Sequence, residues 1–451
     1  MKPADTSNPD FFHRAVDCQW SCPAHTAVPE YLRQVAAGHY TEAYMINWRA
    51  NVFPGVLGRV CDRPCETACR RSRMEGGDKA PVAICRLKRT AADYKADVRL
   101  RLPRPAPYSG KRVACVGAGP ASLTVARDLA LQGHNLTIFD GEKAPGGLMR
   151  SQIPKSRLPD EILDEEIGYI LDMGIAFRSG ERIGSLKALL AEGYDAVFIG
   201  CGAPSEGAEA HFTWIERDIG LRFDEHGMPV IDRSTMQSTL PNVFFGGDAA
   251  FGPKNIISAV ADGHEAAVSI DRFLNGEDAA VRPPPSATLV KQNKRASSFD
   301  NVVSIAQRHK VPARAFRVTG KRIRTEAERG LTPQAAATEA QRCLNCDMQP
   351  VFIASRCIEC DACIDICPAD ALTLAENGDE DALRGRMKAP PMQHGRPLQV
   401  SEVLKTGRVM VRDEDRCLHC GLCAERCPES AWEMQKFMFV AAQAGAGCRD
   451  K

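Results

Sequence analysis

The sequence predicts an α/β centre flanked by two smaller cysteine-rich units, a helical one at the N-terminus and an α+β one at the C-terminus. Three observations carry this reading. Residues 111–140, "KRVACVGAGPASLTVARDLALQGHNLTIFD", read as strand, Gly-rich turn, helix and strand. Two runs near the C-terminus repeat one cysteine spacing, C-x2-C-x2-C-x3-C-P. A third cysteine group, Cys18, Cys22, Cys61, Cys65 and Cys69, opens the chain. At 451 residues there is room for about three domains. The expected boundaries are 1–108, 109–275 and 341–451, with a linking stretch over 276–340.

Composition narrows the class. The charged fraction of 25% and apolar fraction of 44% are those of an ordinary globular protein. A formal charge of +1 gives no reason to expect nucleic acid or an anionic membrane as partner. The local excess "RRSR", Arg70 to Arg73, reads as a solvated face rather than a docking patch. No apolar run approaches the ~18 residues of a membrane span, and "MKPADTSNPDFF" is no export signal. A soluble, cytoplasmic protein is expected. Nineteen cysteines are many for such a chain, and they cluster. Disulfide scaffolds are short and exported, so metal or cluster ligation is the better reading.

The C-terminal runs are the most specific signal. "CIECDACIDICP" supplies Cys357, Cys360, Cys363 and Cys367, and "CLHCGLCAERCP" supplies Cys417, Cys420, Cys423 and Cys427. This is the two-cluster ferredoxin spacing, in which three thiolates wrap one cubane and the fourth ligates its neighbour. One [4Fe–4S] cluster is expected on Cys357, Cys360, Cys363 and Cys427, and a second on Cys417, Cys420, Cys423 and Cys367. Zinc suits a single CxxC pair but does not need eight cysteines in a doubled register. His419 falls between ligand positions, so contact with solvent or with the ligands is favoured over ligation.

At the N-terminus, "VPEYLRQVAAGHYTEAYMINWRA" reads as two short amphipathic helices broken at Gly38, carrying the chain from Cys18 and Cys22 to "RVCDRPCETACRR". This region resembles the N-terminal iron–sulfur domain of the NADPH-dependent glutamate synthase small subunit, with a related domain in dihydropyrimidine dehydrogenase. The resemblance implies two [4Fe–4S] clusters, fed partly by an "RCLxC" pair upstream of the first "CP". Nothing before Cys18 supplies that pair, but "EAQRCLNC" places Cys343 and Cys346 just before the ferredoxin runs. The helix "TPQAAATEAQRCL", with Thr332 as N-cap and Pro333 in its first turn, leads into it. The expectation is a fold-back: one cluster on Cys18, Cys69, Cys343 and Cys346, another on Cys22, Cys61, Cys65 and an unassigned fourth ligand. Cys85 is the nearest candidate, while the resemblance points slightly later, near Lys88. A separate zinc or redox pair at Cys343 and Cys346 is the alternative.

The central unit carries a dinucleotide signal. Gly117 permits the tight turn and Gly119 lets backbone approach a pyrophosphate. The helix starting at Pro120 and Ala121 offers its positive end to the phosphates, and Asp140 can take the ribose hydroxyls. Ser122 stands where a third glycine would be. "PGGLMRSQIPKSRLP" is similar to a stretch of the glutamate synthase family that runs along FAD, which implies flavin contacts for Gly146, Gly147, Leu148, Arg150, Ile153 and Pro154. "LPNVFFGGDAAFGPKNIISAVADGHEAAVSIDRFL" reads as a strand ending at Gly246-Gly247-Asp248, then a loop and a long helix. By the same resemblance Asp248 lies by the ribityl–pyrophosphate, and Asn255, Ile256 and Ile257 face the pyrimidine end. Cys115, in the first strand, reads as core.

One junction is unusual. Asp195 to Ile199 reads as a buried strand ending at Gly200, and Trp214 to Gly220 as the lead-in to a second strand, Met228 to Ile231. The resemblance implies a second, NAD(P)-binding fold inserted between such segments, and a βαβ nucleotide fold needs ~100 residues or more. About ten residues stand between Ala203 and Trp214, near 204–212, so the insert is expected to be missing. "RPPPSATLVKQNKRASS" reads as a linker, Phe299 to Gly330 as a weakly helical connector, and "ENGDEDALRGRMKAPPMQHGRPLQV" as a surface loop between the ferredoxin halves.

The expected function is an FAD- and [4Fe–4S]-dependent oxidoreductase or electron-transfer subunit, passing electrons between flavin, clusters and a partner oxidoreductase or ferredoxin. The tail resembles longer relatives that serve 2-oxoacid oxidoreductases or dissimilatory sulfite reductase. An NAD(P)H-dependent glutamate synthase small-subunit-like reductase and a non-catalytic iron–sulfur scaffold are the alternatives.

Overall fold

In the computed structural model, which describes residues 1–5, 8, 14–73, 80–203, 211–282, 286–291, 326–392, 395–440 and 443–445, a five-stranded parallel sheet forms the centre. Its strands are β1 (Arg112–Val116), β2 (Asn135–Asp140), β3 (Ala176–Ser179), β4 (Ala196–Ile199) and β5 (Val243–Phe245), in the order β3-β2-β1-β4-β5. Buried apolar runs such as "AVFI" suit strands covered on both faces. The order reverses between β1 and β4, so a crevice opens beyond the C-terminal end of β1, where the Gly-rich turn sits. The Pro120–Leu131 helix leaves that turn with proline in its first turn. Against it packs the Ile256–Leu274 helix, capped by Asn255, whose side chain accepts from the Ser258 amide at 3.0 Å.

The N-terminal unit is helical: Val28–Ala36, Tyr40–Asn51, Pro54–Val60 and Ile84–Tyr94, with Gly38 at φ +78° breaking the first pair. It is bolted to the central unit through buried polar contacts. Glu166 accepts the amides of Gly55 (2.7 Å) and Val56 (3.0 Å) at the start of the Pro54–Val60 helix, and the Tyr44 hydroxyl at 2.9 Å. Arg127, ion-paired to Asp128 at 2.6 Å, donates to the carbonyls of Trp48 and Arg49. These carbonyls lie in the last turn of a helix, where Trp48 also accepts the Val52 amide at 3.2 Å.

Two small antiparallel sheets form the C-terminal unit. One is β8 (Leu372–Glu376), β10 (Arg408–Arg412) and β9 (Gln399–Val400), in the order β8-β10-β9. The other is β6 (Ser286–Lys291), β11 (Trp432–Val440) and β7 (Met348–Phe352), in the order β6-β11-β7.

Four expectations change. The stretch read as a linker contributes β6, because β11 offers an open edge along Gln435–Val440. The surface loop between the ferredoxin halves holds a Glu380–Arg384 helix and β9, and it buries Leu383 and Leu398. Met228–Ile231 makes only isolated bridges, Phe223 with Pro229 and Ile231 with Ser238. Arg70 and Arg71 are buried rather than solvated, Arg70 against Asp17 and Glu414. Most of the 299–330 connector, and Cys448, lie outside the described residues. Among the described residues no helix is long and apolar enough to cross a membrane.

Candidate metal centres and dinucleotide site

Each ferredoxin run folds as a tight turn. Glu359 (φ +57°) and His419 (φ +53°), each just before the second cysteine of its run, take left-handed backbone. In the first run this turns the Glu359 amide onto Cys357 Sγ at 3.3 Å. After each run the chain doubles back in the same way: Ala371 N–H donates to Cys367 Sγ (3.3 Å) and Ala431 N–H to Cys427 Sγ (3.2 Å). One cavity is lined by Cys357, Cys360, Cys363 and Cys427, and a second by Cys367, Cys417, Cys420 and Cys423. The fourth cysteine of each run thus lines the other run's cavity. Burial, with Cys357 and Cys427 nearby, holds the Cys363 thiol up at about 11. Crowded, desolvated sulfurs do not ionise together unless a cation shares the cavity, and four soft donors suit an iron–sulfur cubane.

The N-terminal cysteines form two further groups. Cys18, Cys69, Cys343 and Cys346 lie within electrostatic reach of one another; burial and these neighbours push Cys18 far up, and burial takes Cys69 to about 11. The late pair reaches this place through side chains that grip the N-terminal helices. Arg342, fully buried and paired with Glu339 at 2.8 Å, donates to the carbonyls of Ala80 and Pro81. Glu339 also accepts the Ala83 amide at 2.8 Å, and Arg33 holds Asp347 at 2.8 Å. Thr332 caps the preceding Pro333–Ala340 helix by accepting from Ala335 N–H.

The other group is Cys22, Cys61, Cys65 and Cys85. Cys85 is in hydrogen-bonding contact with both Cys61 and Cys65, and that contact followed by burial raises the Cys61 thiol. Lys88 lies one helical turn beyond Cys85 and donates instead to Asn51 Oδ1. Asn51 in turn holds Thr26, whose hydroxyl lies 3.3 Å from Cys22 Sγ. Burial pulls the Lys88 ammonium down, and negative charge on the surrounding sulfurs of Cys85, Cys61, Cys65 and Cys22 raises it, with a net shift upward. Both candidates for the fourth position lie against the three cysteines, Cys85 in hydrogen-bonding contact and Lys88 among the same sulfurs with its hydrogen bond on Asn51.

Around the Gly-rich turn, Gly117 adopts φ +94°, and a Cβ there would lie 2.6 Å from the Gly200 carbonyl oxygen. Gly119 follows as the N-cap of the Pro120–Leu131 helix, with Ala121 in its first turn. Asp140, ending β2, accepts the Ala118 amide at 2.6 Å and the Glu142 amide at 2.8 Å. A cavity of about 590 Å³ beside it is lined by Gly117, Asp140, Gly141, Arg182, Cys201 and His211. Gly146 N–H donates to the Ala118 carbonyl at 2.9 Å, which lays the Gly146-Gly147 loop onto the turn. Leu148 begins a short helix through Ser151. Within it Arg150 pairs with Asp160 at 3.2 Å and also with Asp164, and Ile153 and Pro154 follow. Gly247 packs 3.2 Å, measured from an added Cβ, from Ala121, and Asp248 accepts the Lys254 amide at 2.9 Å. Asn255, Ile256 and Ile257 start the long helix, with both isoleucines buried. The structure therefore brings the three separate glycine-bearing stretches to one edge of the sheet.

At the unusual junction β4 lies directly beside β5, and Phe212 packs under Phe245. Residues 204–210 fall outside the described ones. One parallel sheet is present among the described residues.

One buried network links the two cysteine-rich units. Of the two roles the sequence left to His419, contact with solvent or with the ligands, the structure gives the second: it is buried, its Nδ1 lies 3.0 Å from the Cys346 carbonyl oxygen and its Nε2 2.7 Å from Glu414 Oε1. Arg70, completely buried, joins the same network. Cys201 also has a neighbour, with its Sγ 3.3 Å from His211 Nε2, while Cys115 is core.

Comparison with known proteins gives three matches along the chain. Residues 13–100 match the family described as dihydropyrimidine dehydrogenase domain II, 4Fe-4S cluster; residues 115–177 match NAD(P)-binding Rossmann-like domains; residues 356–431 match 4Fe-4S dicluster domains. Over 210 residues, 41% of this chain and 29% of the relative, it is 38% identical to an NADP(+)-dependent formate dehydrogenase subunit beta of Moorella thermoacetica. Over 360 residues, 76% of this chain and 85% of the relative, it is 27% identical to the NAD-dependent dihydropyrimidine dehydrogenase subunit PreT of Escherichia coli. A glutamate synthase [NADPH] small chain of Mycobacterium tuberculosis is 34% identical over 190 residues, 41% of this chain and 38% of the relative. In the first of these alignments the chain spans less than a third of the relative's length. The chain is thus similar to the glutamate synthase small chain and to NAD(P)-linked dehydrogenase subunits, and it matches an iron–sulfur, a Rossmann-like dinucleotide and a 4Fe–4S dicluster family model in one polypeptide.

Proposed function

We propose that this chain is an electron-transfer oxidoreductase subunit holding one FAD and four [4Fe–4S] clusters, which exchanges electrons with a partner protein. The observation that carries the reading is the gathering of sixteen cysteines into four groups of four: Cys22/Cys61/Cys65/Cys85, Cys18/Cys69/Cys343/Cys346, Cys367/Cys417/Cys420/Cys423 and Cys357/Cys360/Cys363/Cys427. FAD takes or gives two electrons and passes them singly, which is what one-electron clusters accept.

The chain's own residues bind and orient. The amides opening the Pro120–Leu131 helix hold the pyrophosphate and Asp140 the ribose. Gly146 to Pro154 and Asn255 to Ile257 flank the ring. The groups follow one another in space. Tyr31 lies within reach of both N-terminal groups, through Cys65, Cys85, Cys18 and Cys22, and Cys363 lies beside Cys423 between the two C-terminal groups. The exposed Cys360 places the last group at the surface, where a partner oxidoreductase or ferredoxin would meet it. Relatives are named as NAD-, NADP(+)- or NADPH-linked; here the residues between Ala203 and Trp214 are too few for a second βαβ fold, so the donor or acceptor site belongs to the partner.

Anaerobic purification with flavin extraction and iron counting tests this. One FAD per chain and iron for four clusters are expected, and Cys343→Ser with Cys346→Ser should remove one cluster's iron. A chain without flavin would favour an iron–sulfur scaffold, and unchanged iron in the double variant would refute the fold-back.

A further inference from the structure

The contact between the N-terminal and C-terminal cysteine groups is built from a buried polar knot. His419 sits in the two-residue gap between Cys417 and Cys420, and its ring lies against Cys417 and Glu414 of its own run while also reaching Cys346 across the boundary. Nδ1 lies 3.0 Å from the Cys346 carbonyl oxygen, and Nε2 lies 2.7 Å from Glu414 Oε1 and 2.9 Å from Arg70 Nη1. One Nε2 proton cannot serve both Glu414 and Arg70. The shorter contact pairs it with the carboxylate, and Arg70 spends Nη1 on Glu414 Oε1 (2.9 Å) and the Cys417 carbonyl (2.6 Å). Arg70 Nε holds Asp17 at 2.8 Å. Asp17 and Arg70 are the chain neighbours of Cys18 and Cys69. Every member of the knot is therefore a candidate ligand or lies next to one or beside its loop, and Arg70, Asp17, Glu414, His419 and Cys346 are buried, with Cys417 half-buried.

The other ferredoxin run supplies an internal comparison. Glu359 holds the equivalent place, with the same left-handed backbone, but turns back onto its own unit, to Arg408 at 2.9 Å and to Thr406. Left-handed turn geometry alone does not explain the reach of His419; what differs is the partner across the boundary.

We propose that His419 is the positioning residue that couples the Cys18/Cys69/Cys343/Cys346 cluster to the Cys367/Cys417/Cys420/Cys423 cluster, making this contact the crossing point for electrons between the two halves. The proposal rests on the cluster assignment above. With both clusters bound, the contact would carry one electron at a time, with no bond formed or broken and no proton needed. Two short hydrogen-bonded routes span the gap, Cys69–Arg70 to the Cys417 carbonyl and the Cys346 carbonyl to His419–Cys420. They replace what would otherwise be a through-space gap, across which tunnelling decays steeply.

The test uses the full chain, anaerobically loaded and reduced with dithionite. Electron paramagnetic resonance reads the magnetic interaction between clusters, and rapid freezing reads how fast electrons reach the C-terminal pair. His419→Ala should keep its iron, weaken the interaction measurably and slow the crossing several-fold, with the Arg70–Cys417 route left in place. His419→Gln, whose amide can still donate to the Cys346 carbonyl, should restore part of both, and Glu359→Ala should keep the interaction. A fully loaded His419→Ala chain with undiminished interaction and rate overturns the proposal. So does a fully loaded unsubstituted chain with no interaction between an N-terminal and a C-terminal cluster, a reading that stands even if His419→Ala fails to load. Missing iron in the unsubstituted chain would instead sink the cluster assignment itself.

Discussion

At the scale of single residues, buried charges are the informative ones. Lys88 is a cation placed among four sulfurs with Asn51 as its fixed hydrogen-bond partner. A positive charge beside a cluster favours the reduced, more negative state. Lys88→Met, similar in length, should lower the midpoint potential of one cluster by tens of millivolts or more, since a unit charge at such range is worth about 1–3 kcal/mol at an effective dielectric near 20. A redox titration followed by paramagnetic resonance checks it; potentials unchanged in a chain with full iron would remove Lys88 from the account. Glu166 is the opposite case. Burial pushes its carboxyl up to about 7, against the amides of Gly55 and Val56, the Tyr44 hydroxyl and Lys95, which pull it down. Because that exceeds the ordinary value of 4.5, the folded chain holds a proton the unfolded chain has released between pH 4.5 and 7. The group's contribution is full below pH 4.5 and is lost as pH rises to 7, by about 3 kcal/mol. Glu166→Gln should flatten that part of the stability profile relative to the unsubstituted protein, as read by denaturant unfolding at a series of pH values. A parallel profile would count against the shifted carboxyl.

Among the elements, the crossing of the Pro120–Leu131 and Ile256–Leu274 helices matters most, because both carry candidate flavin contacts at their N-terminal ends. Gly263 makes this crossing close: an added Cβ would lie 2.7 Å from the Ala121 carbonyl oxygen and from Thr124 Cβ. Neither neighbour is a flexible tip that could yield. Gly263→Ala should therefore cost about 1–3 kcal/mol through overpacking and weaken flavin retention, measured by thermal unfolding and by flavin released on dialysis. Stability and flavin content equal to the unsubstituted protein would show that the helices have slack. The β6–β11 pairing makes a related point. A proline-flanked stretch without convincing strand patterning becomes a strand because an edge of β11 is available, so tertiary context outweighs local preference.

For the molecule as a whole, the short β4–β5 junction, proposed above to leave no second βαβ fold, bears on how electrons enter. Nicotinamide must be held against the flavin for fast hydride transfer, and no stretch beyond the Gly-rich turn at Gly117 offers such a berth among the described residues. Stopped-flow mixing of the loaded chain with NADPH or NADH should leave the flavin essentially unbleached on the time scale of turnover, while dithionite reduces it. Rapid bleaching by either nucleotide would overturn this reading. Much of this organisation was legible without coordinates. The Gly-rich turn, Asp140, the paired ferredoxin runs and the helical hairpin around Gly38 are local patterns, each enforced by backbone geometry within a few residues. The reach of His419, the burial of Arg70 and the helix within residues 376–400 were not legible, because a charged or polar side chain reveals its partner only when the distant segment arrives.

The sequence by itself determined the kinds of chemistry available: thiolates in cluster spacing, a phosphate-binding turn, and a junction too short for another nucleotide fold. Only the tertiary structure decided which cysteines share a site. Cys343 and Cys346 meet Cys18 and Cys69, and Cys85 touches Cys61 and Cys65 while Lys88 lies among the same sulfurs. Spacing constrains ligands a few residues apart, whereas groups on remote segments are brought together by burial and docking contacts such as Arg342 on the carbonyls of Ala80 and Pro81, which no local pattern encodes.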